Sequence, residues 1–366
     1  MLIACIARQE DLGIRVRSGA AAKIRVAQRP ERYPSVPARM PRSPFDLEDL
    51  PTLASSSMSA WPVASAFDTH SPEAQAIARL FCETLVVCAI VGAVVAGLVG
   101  YCAVRFRARA GEPAQTHGNT RLEVTWTLIP LAIVAGLFVR TAQTMGVSDR
   151  PADHEPDIVV TGHQWWWEAR YEGGAVTANE IHIPVGKDLL VRVESADVIH
   201  DFWVPQLARK IDAVPGHPSS IWMQSDAPGT YLGACAEYCG AQHAWMRIVI
   251  VAEPQPEFDA WERHQREPGQ APATQAAMRG ARDFTTKTCI ECHAIGGSGV
   301  RARVAPDLTH LAQRQTLGAG VLQNTAADLA HWLKDPQGVK PGSHMPDAQL
   351  TEAEVGDLVA YFETLH

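Results

Sequence analysis

Residues 235–246 read CAEYCGAQHAWM and place five potential metal donors on one short segment. The donors are Cys235, Glu237, Cys239, His243 and Met246. Two thiolates, an imidazole and a thioether are soft or borderline ligands, the set that selects copper over magnesium, calcium or manganese. Zinc also uses cysteine and histidine, but a methionine adds nothing to a tetrahedral zinc site. The segment therefore predicts a copper site that takes further ligands from elsewhere in the fold.

Short β-rich runs surround this copper loop. Between residues 158 and 252 the runs are IVVTG, QWWWEARY, EIHIPV, DLLVRVES, SIWMQS, GTYLGAC and MRIVIVA, with Gly, Pro, Asn or Asp between them. This spacing favours a β-sandwich or barrel. On such a scaffold we expect His200 to end one strand and the copper loop to join two others, so that His200 becomes a further ligand. The alternative for a lone histidine is a hydrogen-bonded polar residue without a metal.

Length, charge and cysteine usage limit the class of protein. The chain has 366 residues, more than one domain usually holds, and its formal net charge of −8 argues against a nucleic-acid partner. Its eight cysteines lie in the copper loop, in a second motif, in an apolar stretch and near the N-terminus. That distribution does not suggest a disulfide framework. We expect the paired cysteines to serve metals.

Two apolar stretches predict a transmembrane hairpin within residues 75–147. Residues 84–104 carry no charge and form about 30 Å of helix, which matches a bilayer core; a buried soluble helix is the alternative. The second span, about 124–145, needs Arg140 to snorkel. The loop between the spans carries Arg105, Arg107, Arg109 and Arg121 against Glu112 and Glu123. The positive-inside rule therefore makes this loop cytoplasmic and places everything after Met145 on the outer side.

The N-terminal segment is expected to span residues 1–74, and its first 57 residues fit this topology poorly. Its first part is rich in basic residues and proline, and LIACIA is too short for the apolar region of a signal peptide. We expect either that translation begins at Met58 or that the segment is removed or disordered.

A second metal motif follows the β-rich region. Cys289, Cys292 and His293 form C-x-x-C-H, in which both sulfurs bond to haem and the histidine becomes an axial ligand of the iron. Residues 256–274, rich in Pro, Glu and Gln, read as a linker that separates this domain, residues 275–366, from the β domain at 148–255. Helices are expected from Thr325 and from Thr351, the latter with a capping box to Glu354.

The second axial ligand must come from farther along the chain. Met345, in the loop KPGSHMPD, is our candidate, and His344 is the competing one. This region resembles class I cytochromes c, in which such a methionine is the ligand and a proline at the position of Pro306 packs beside the axial histidine. A His and Met pair raises the reduction potential of the iron.

Four motifs together resemble subunit II of haem-copper cytochrome c oxidases. They are HGNTRLEVTWTLIP, GHQWWWE, VIHDFWVPQLARKIDAVPG and CAEYCGAQHAWM, across roughly residues 75–255. The resemblance implies a two-helix membrane hairpin, an all-β cupredoxin sandwich and a dinuclear copper centre called CuA. The implied ligands are His200, Cys235, Cys239, His243, Met246 and the backbone carbonyl of Glu237. With the all-α class I cytochrome c domain, the chain is expected to be multidomain.

The resemblance also implies roles for residues beside the copper site. The Glu237 carboxylate would help to bind Mg²⁺ with an acid at the position of Asp212, although a solvated carboxylate is the simpler interpretation. Trp165 would pass electrons from a donor to copper, although a triple tryptophan is usually packing bulk. Glu123 would mark the entrance of a proton path into subunit I, although it is also suited to the membrane interface.

A cytochrome c domain behind subunit II is the arrangement of caa-type oxidases. The resemblance therefore implies a subunit of a proton-translocating cytochrome c oxidase in a bacterial plasma membrane, with both metal domains on the periplasmic side. The expected partners are subunit I, subunit III and a donor cytochrome c or bc-type complex, and O₂ is reduced in subunit I. Nitrous oxide reductase has a similar copper loop without the hairpin, a copper-handling protein would need no haem, and quinol oxidases lack the copper ligands.

Overall fold

The computed structural model of the chain describes residues 65–107, 118–297 and 304–366. The predictions about a start at Met58 and about Arg109 and Glu112 in the loop between the spans fall outside these residues.

The membrane hairpin consists of two long helices. Helix α1 spans Pro72–Arg105 and helix α2 spans Thr120–Ser148, with mean hydropathies of 2.5 and 2.0 in their most apolar windows. Ser71 and Asn119 cap them by accepting hydrogen bonds from backbone amides of the first turn. Both helices extend beyond the predicted spans, 84–104 and 124–145, because the helical backbone continues through polar residues at each end. Their length and composition suit a membrane crossing.

Hydrogen bonds tie the outer end of this hairpin to the next domain. The Ser71 hydroxyl donates to the Leu207 carbonyl, and the Glu73 carboxylate accepts from the Arg209 amide at 3.1 Å. The Arg209 guanidinium also donates to the Ser148 carbonyl at 3.1 Å, which brings in the end of α2. One segment of the β domain therefore holds both membrane helices.

The β domain is a sandwich of two five-stranded sheets, ordered β3-β2-β1-β5-β8 and β4-β10-β9-β6-β7. The strands are β1 Ile158–His163, β2 Trp166–Tyr171, β3 Val176–Ala178, β4 Glu180–Pro184, β5 Leu189–Ser195, β6 His200–Trp203, β7 Ile211–Ala213, β8 Ser219–Met223, β9 Gly229–Cys235 and β10 Arg247–Glu253. Trp167, Phe202 and Ile248 are among the side chains buried between the sheets. The all-β prediction is confirmed.

The seven predicted β-rich runs correspond to seven of these strands, but one expectation was wrong. His200 does not end a strand; it begins β6. Strand β5 ends at Ser195, and a turn follows in which the Ser195 hydroxyl accepts from the Asp197 amide at 3.2 Å. A bend over residues 196–198 therefore separates β5 from His200. Strands β3, β6 and β7 were not expected because they have only three or four residues, too few for a visible alternation.

The segment expected to be a linker is partly helical. Residues Gln255–Gln265 form helix α3, whose Phe258 and Trp261 pack against the core of the sandwich. The Trp261 ring stacks on the His182 ring, with centroids 4.1 Å apart. The proline-rich and polar composition concealed this helix, because its apolar face contains only these two aromatic rings.

The C-terminal domain is mainly helical. Its elements are α4 Gln275–Thr286, β11 Thr316–Leu317, β12 Leu322–Gln323, α5 Ala326–Lys334, α6 Pro336–Val339 and α7 Glu352–Phe362. The expected helix after Thr325 is α5, and the expected capping box between Thr351 and Glu354 opens α7. Helices α4 and α7 cross closely at Gly280, where any Cβ would overlap the Asp357 carbonyl. Glycine therefore permits the crossing.

Candidate metal centres

The β9–β10 connection gathers the sulfur donors of the copper loop. The Cys235 and Cys239 sulfurs lie 3.8 Å apart, and the Met246 sulfur lies 3.8 Å from Cys239. The Cys235 amide donates to the Met246 carbonyl at 3.0 Å, which closes the loop at its base. All three side chains are at most 5% exposed. The sequence therefore folds its soft donors into one dry cluster.

The two histidines approach this sulfur pair from opposite ends. The His200 Nδ1 atom is 3.9 Å from the Cys235 sulfur, and the His243 Nδ1 atom is 3.6 Å from the Cys239 sulfur. His200 reaches the site because β6 pairs with β9 in a register that sets Phe202 beside Cys235. His243 opens a one-turn 3-10 helix inside the loop.

Glu237 contributes its backbone rather than its side chain. Its carbonyl oxygen is 3.2 Å from the Cys235 sulfur, while its carboxylate side is exposed. All six positions predicted as copper ligands thus turn a donor atom toward the sulfur pair. Buried thiolate, thioether and imidazole donors are a set that fits copper. The ligand atoms of His200, Cys235 and Cys239 all lie within 4.8 Å of one another, and among the described residues they form the group of three that could hold a metal ion.

The two thiols influence each other's protonation. A hydrogen bond between the sulfurs lowers the pKa of Cys235 to about 3 and raises that of Cys239, whose burial acts in the same direction. The first proton therefore leaves the pair readily and the second is held. A metal cation that binds both sulfurs replaces the held proton, so metal uptake is coupled to proton release.

Asp197 orients His200 from behind. The His200 Nε2 atom donates to the Asp197 carboxylate at 2.8 Å, which leaves Nδ1 facing the sulfurs. The same carboxylate accepts from the amides of Gln164 at 2.7 Å and Val198 at 2.6 Å. Carboxylates in this position fix the tautomer and orientation of a metal-binding histidine. Sequence reasoning missed Asp197, although a carboxylate three residues before a candidate ligand is a usable signal.

Trp165 lies directly against the copper loop. Its indole Nε1 donates to the Cys239 carbonyl at 3.1 Å, and the Gln164 side-chain amide donates to the same oxygen at 2.8 Å. Gly240 follows this carbonyl with φ of 118°, and a Cβ there would lie 3.0 Å from the Trp165 ring. Trp165 is 7% exposed. It is therefore joined to a copper-loop residue by a hydrogen bond.

The carboxylates predicted for Mg²⁺ lie on the outside of the copper site. Asp212 and the Glu237 side chain are both exposed. Asp212 pairs across β6–β7 with Asp201, which sequence reasoning missed and which is only 1% exposed. Burial, followed by the hydrogen bond with Asp212, raises the pKa of Asp201 to about 7. Glu123, the predicted entrance of a proton path, is exposed in the first turn of α2.

The C-x-x-C-H motif folds as a tight turn at the end of α4. Cys289–Glu291 is a one-turn 3-10 helix, and both Cys289 and Cys292 are half-buried free thiols. The His293 Nδ1 atom donates to the Pro306 carbonyl at 2.7 Å, which leaves Nε2 for a metal. Burial lowers the pKa of His293, which favours the neutral imidazole that iron requires. The predicted neighbour Pro306 thus fixes the ring through its backbone.

Met345 lies in a loop held by one glutamine. The Gln337 side-chain amide donates to the carbonyls of Met345 at 2.8 Å and Ser343 at 2.9 Å, and the Met345 side chain packs against the core of this domain. The competing residue His344 is exposed and places its ring 5.1 Å from that of Trp165 in the sandwich. His344 thus contacts the other domain while Met345 packs within its own, which favours Met345 as the iron ligand.

A membrane hairpin, a cupredoxin sandwich with a copper-type donor cluster and a helical domain with a haem motif define a membrane-anchored electron-transfer subunit. Three family models match these parts. The transmembrane domain of cytochrome c oxidase subunit II matches residues 60–140, its periplasmic domain matches 174–253, and cytochrome c matches 277–366.

The chain belongs to the cytochrome c oxidase subunit 2 family. Cytochrome c oxidase subunit 2 of Alkalihalophilus pseudofirmus is 37% identical over 82% of this chain and 90% of its own length. The proteins of the same name from Bacillus sp. (strain PS3) and Bacillus subtilis are each 31% identical, over 71% and 72% of this chain and 80% and 81% of their own lengths. The chain is thus an oxidase subunit with copper and haem c domains, and it works in a complex with subunit I.

Proposed function

We propose that this chain receives electrons for a proton-pumping oxidase through its own haem and passes them to a dinuclear copper centre. The observation that carries the proposal is the position of Trp165. Its indole donates to the Cys239 carbonyl in the copper loop, and its ring lies 5.1 Å from His344, the neighbour of Met345. The two candidate centres are thereby connected through adjacent side chains of one polypeptide.

In the copper half, the six ligands proposed above would hold two copper ions. Copper held by these soft sulfur and imidazole donors would supply one-electron transfer at the site. The chain itself holds the ligands in fixed positions and keeps water away from them. The sheets hold His200 opposite the loop, Asp197 fixes its tautomer, and the 0% exposure of both His200 and Met246 keeps water from the sulfurs.

In the C-terminal half, we propose that Cys289 and Cys292 bond haem covalently while His293 and Met345 bind its iron. With a histidine and a methionine on its iron, the haem would supply a one-electron centre of raised potential. The chain orients these ligands with two backbone carbonyls. Pro306 accepts from His293 Nδ1, and the Met345 carbonyl accepts from Gln337.

The remaining roles are proposed for the assembled complex in a bacterial plasma membrane. The exposed carboxylates of Glu237 and Asp212 would face subunit I and hold Mg²⁺, and Glu123 would lie at the start of a proton path into it. Subunit III and a donor cytochrome c or bc-type complex would complete the assembly, with both metal domains on the periplasmic side. O₂ would be reduced to water in subunit I.

The test is purification of the membrane complex, followed by metal analysis and oxygen uptake. We expect two coppers per copy of this chain beyond those of subunit I, and a haem that stays on the chain in a denaturing gel. Oxygen uptake should proceed with reduced cytochrome c, and flash reduction of the haem should be followed by reduction of copper. One labile copper without bound haem would refute the proposal.

A further inference from the structure

Lys340 is a buried lysine that none of the roles above uses. It lies after α6 in the haem-binding domain, five residues before Met345, and is 4% exposed. A buried ammonium is costly unless its donors find acceptors. Burial lowers the pKa of Lys340 to about 7, which reflects that cost. A lysine at such a position therefore requires a structural reason.

The reason lies in the three acceptors around its Nζ atom. Nζ donates to the carbonyls of Trp165 at 3.0 Å, Trp245 at 3.0 Å and Gly318 at 2.8 Å. An ammonium has three N–H donors, so the arrangement uses all of them. Trp165 and Trp245 belong to the sandwich, while Gly318 belongs to the haem-binding domain. The single Nζ atom thus joins two segments beside the copper site to the other domain.

The residues after Lys340 extend this contact over Trp165. The Gln242 side chain donates to the Pro341 carbonyl, and a Cβ at Gly342 would lie 3.5 Å from Ala241. His344 then lies against the Trp165 ring. Trp165 is 7% exposed in this arrangement. The segment 340–344 thus covers the tryptophan through which electrons are proposed to reach copper.

A second set of hydrogen bonds, made by Glu180 and Arg247, also joins the two domains. The Glu180 carboxylate, 3% exposed, accepts from the amides of Gln315 at 2.8 Å and Thr316 at 2.9 Å. The Arg247 amide, next to Met246, donates to the Ala319 carbonyl at 3.3 Å. These three amide protons cross the domain boundary, so their exchange with solvent reports directly on docking.

We propose that Lys340 is a positioning residue that locks the haem-binding domain onto the cupredoxin and closes Trp165 to soluble electron donors. External donors then reach the copper centre only through the tethered domain. The effect on electron entry rests on the proposed function, whereas the docking of the two domains by Lys340 does not. Loss of the Lys340 side chain weakens the docking because it leaves three carbonyls without this donor in a site closed to water.

The test uses Lys340→Met in the purified, haem- and copper-loaded complex, with Lys334→Met as the matched control. Lys334 lies in the same domain but is exposed and paired with Glu352. In Lys340→Met, we expect the amides of Gln315, Thr316 and Arg247 to exchange about tenfold faster or more. Hydroxyl-radical footprinting should label Trp165 several-fold faster. The control should match the wild type in both measurements.

A second variant serves if Lys340→Met does not assemble. Lys340→Gln keeps a polar side chain but has fewer N–H donors than the ammonium, so exchange of the Arg247 amide and labelling of Trp165 should still rise, though less. Unchanged exchange and labelling in Lys340→Met, or in Lys340→Gln when the first variant fails, would overturn the lock. Neither readout depends on electron transfer. If the wild-type haem fails to reduce copper while Lys340→Met still loosens the docking, the proposed electron transfer is refuted and the docking role of Lys340 is supported.

Discussion

The candidate copper site and the candidate haem site are both built from cysteine, histidine and methionine side chains, but the fold positions these donors in opposite ways. In the copper site neighbouring sulfur and imidazole donors already lie 3.6 to 3.9 Å apart, held by paired strands. In the haem-binding domain the cysteines are half-buried and open, and Met345 comes from a separate loop. The proposed copper ions would fill a small cluster, whereas a haem macrocycle needs a space between two segments.

The contrast indicates which part of each site depends on the bound group. The copper donors are positioned by the hydrogen-bonded sheets, so we expect the sandwich to fold without metal. The haem-binding domain packs Cys289 and Met345 only partly against its core. We therefore expect covalently bound haem to complete that core.

The largest expected effect is the loss of one centre without the other. Cys235→Ser removes a proposed copper ligand, and we expect the copper content of the variant to fall close to zero while haem remains attached, since the haem residues lie in another domain. The double variant Cys289→Ser/Cys292→Ser should lose covalent haem and keep copper. Metal analysis and haem staining of a denaturing gel measure both. Loss of both centres in either variant would mean that they assemble together.

The second prediction separates the two candidate iron ligands. Met345→Ala should lower the midpoint potential of the haem on the order of 100 mV, because the thioether ligand raises it. His344→Ala should leave that potential unchanged, because its ring lies against Trp165. Spectroelectrochemical titration of the haem band checks both. A lowered potential in His344→Ala alone would reverse the assignment.

The third prediction concerns the residue behind His200. Asp197→Asn keeps the shape of the side chain but weakens the hydrogen bond to His200 Nε2, so copper affinity should fall about 10- to 100-fold. Competition with a copper chelator measures it. Asp188→Asn is the control, because Asp188 pairs with Arg150 at the surface, away from the copper donors. Equal copper affinities in Asp197→Asn and Asp188→Asn would show that Asp197 does not support the copper site.

The smallest expected effect is a pH dependence in the sandwich. Burial lowers the pKa of His163 to about 4, and its ring stacks on Trp166 with centroids 4.2 Å apart. The unfolded chain therefore binds more protons than the folded one between pH 6.5 and about 4, so this histidine makes unfolding easier as pH falls through that window. Relative to His163→Gln, the wild type should lose thermal stability there and not above pH 7. Parallel curves of melting temperature against pH for the wild type and His163→Gln would contradict this expectation.

The sequence predicted the parts of the fold whose signals are local. Seven runs of β-forming residues became strands, and the capping box at Thr351 opened α7, because alternation and capping act within a few residues. The copper donors were recognisable because five lie within residues 235–246. The helix α3 and the short strand that begins at His200 were missed, since packing against distant residues stabilises them.

The docking of the two domains was beyond reach for the same reason. Lys340 reads in sequence as an ordinary surface lysine, and its acceptors are backbone carbonyls, which every residue possesses. Asp201 is similar, since only the fold shows it buried beside Asp212. Residue types reveal chemistry that depends on side chains, but a partner that is a peptide carbonyl leaves no mark in the sequence.

The hydrogen bonds between the hairpin and the sandwich determine the height of the proposed copper site above the membrane. Ser71 and Glu73 at the top of α1 hold Leu207 and Arg209, and the strand that begins at His200 leads into that segment. One residue inserted into α1 would lift its end about 1.5 Å and turn it about 100°. The sandwich would have to follow or break these hydrogen bonds. The thickness of the bilayer, acting through α1 and these hydrogen bonds, would therefore set the height of the proposed copper site above the membrane surface.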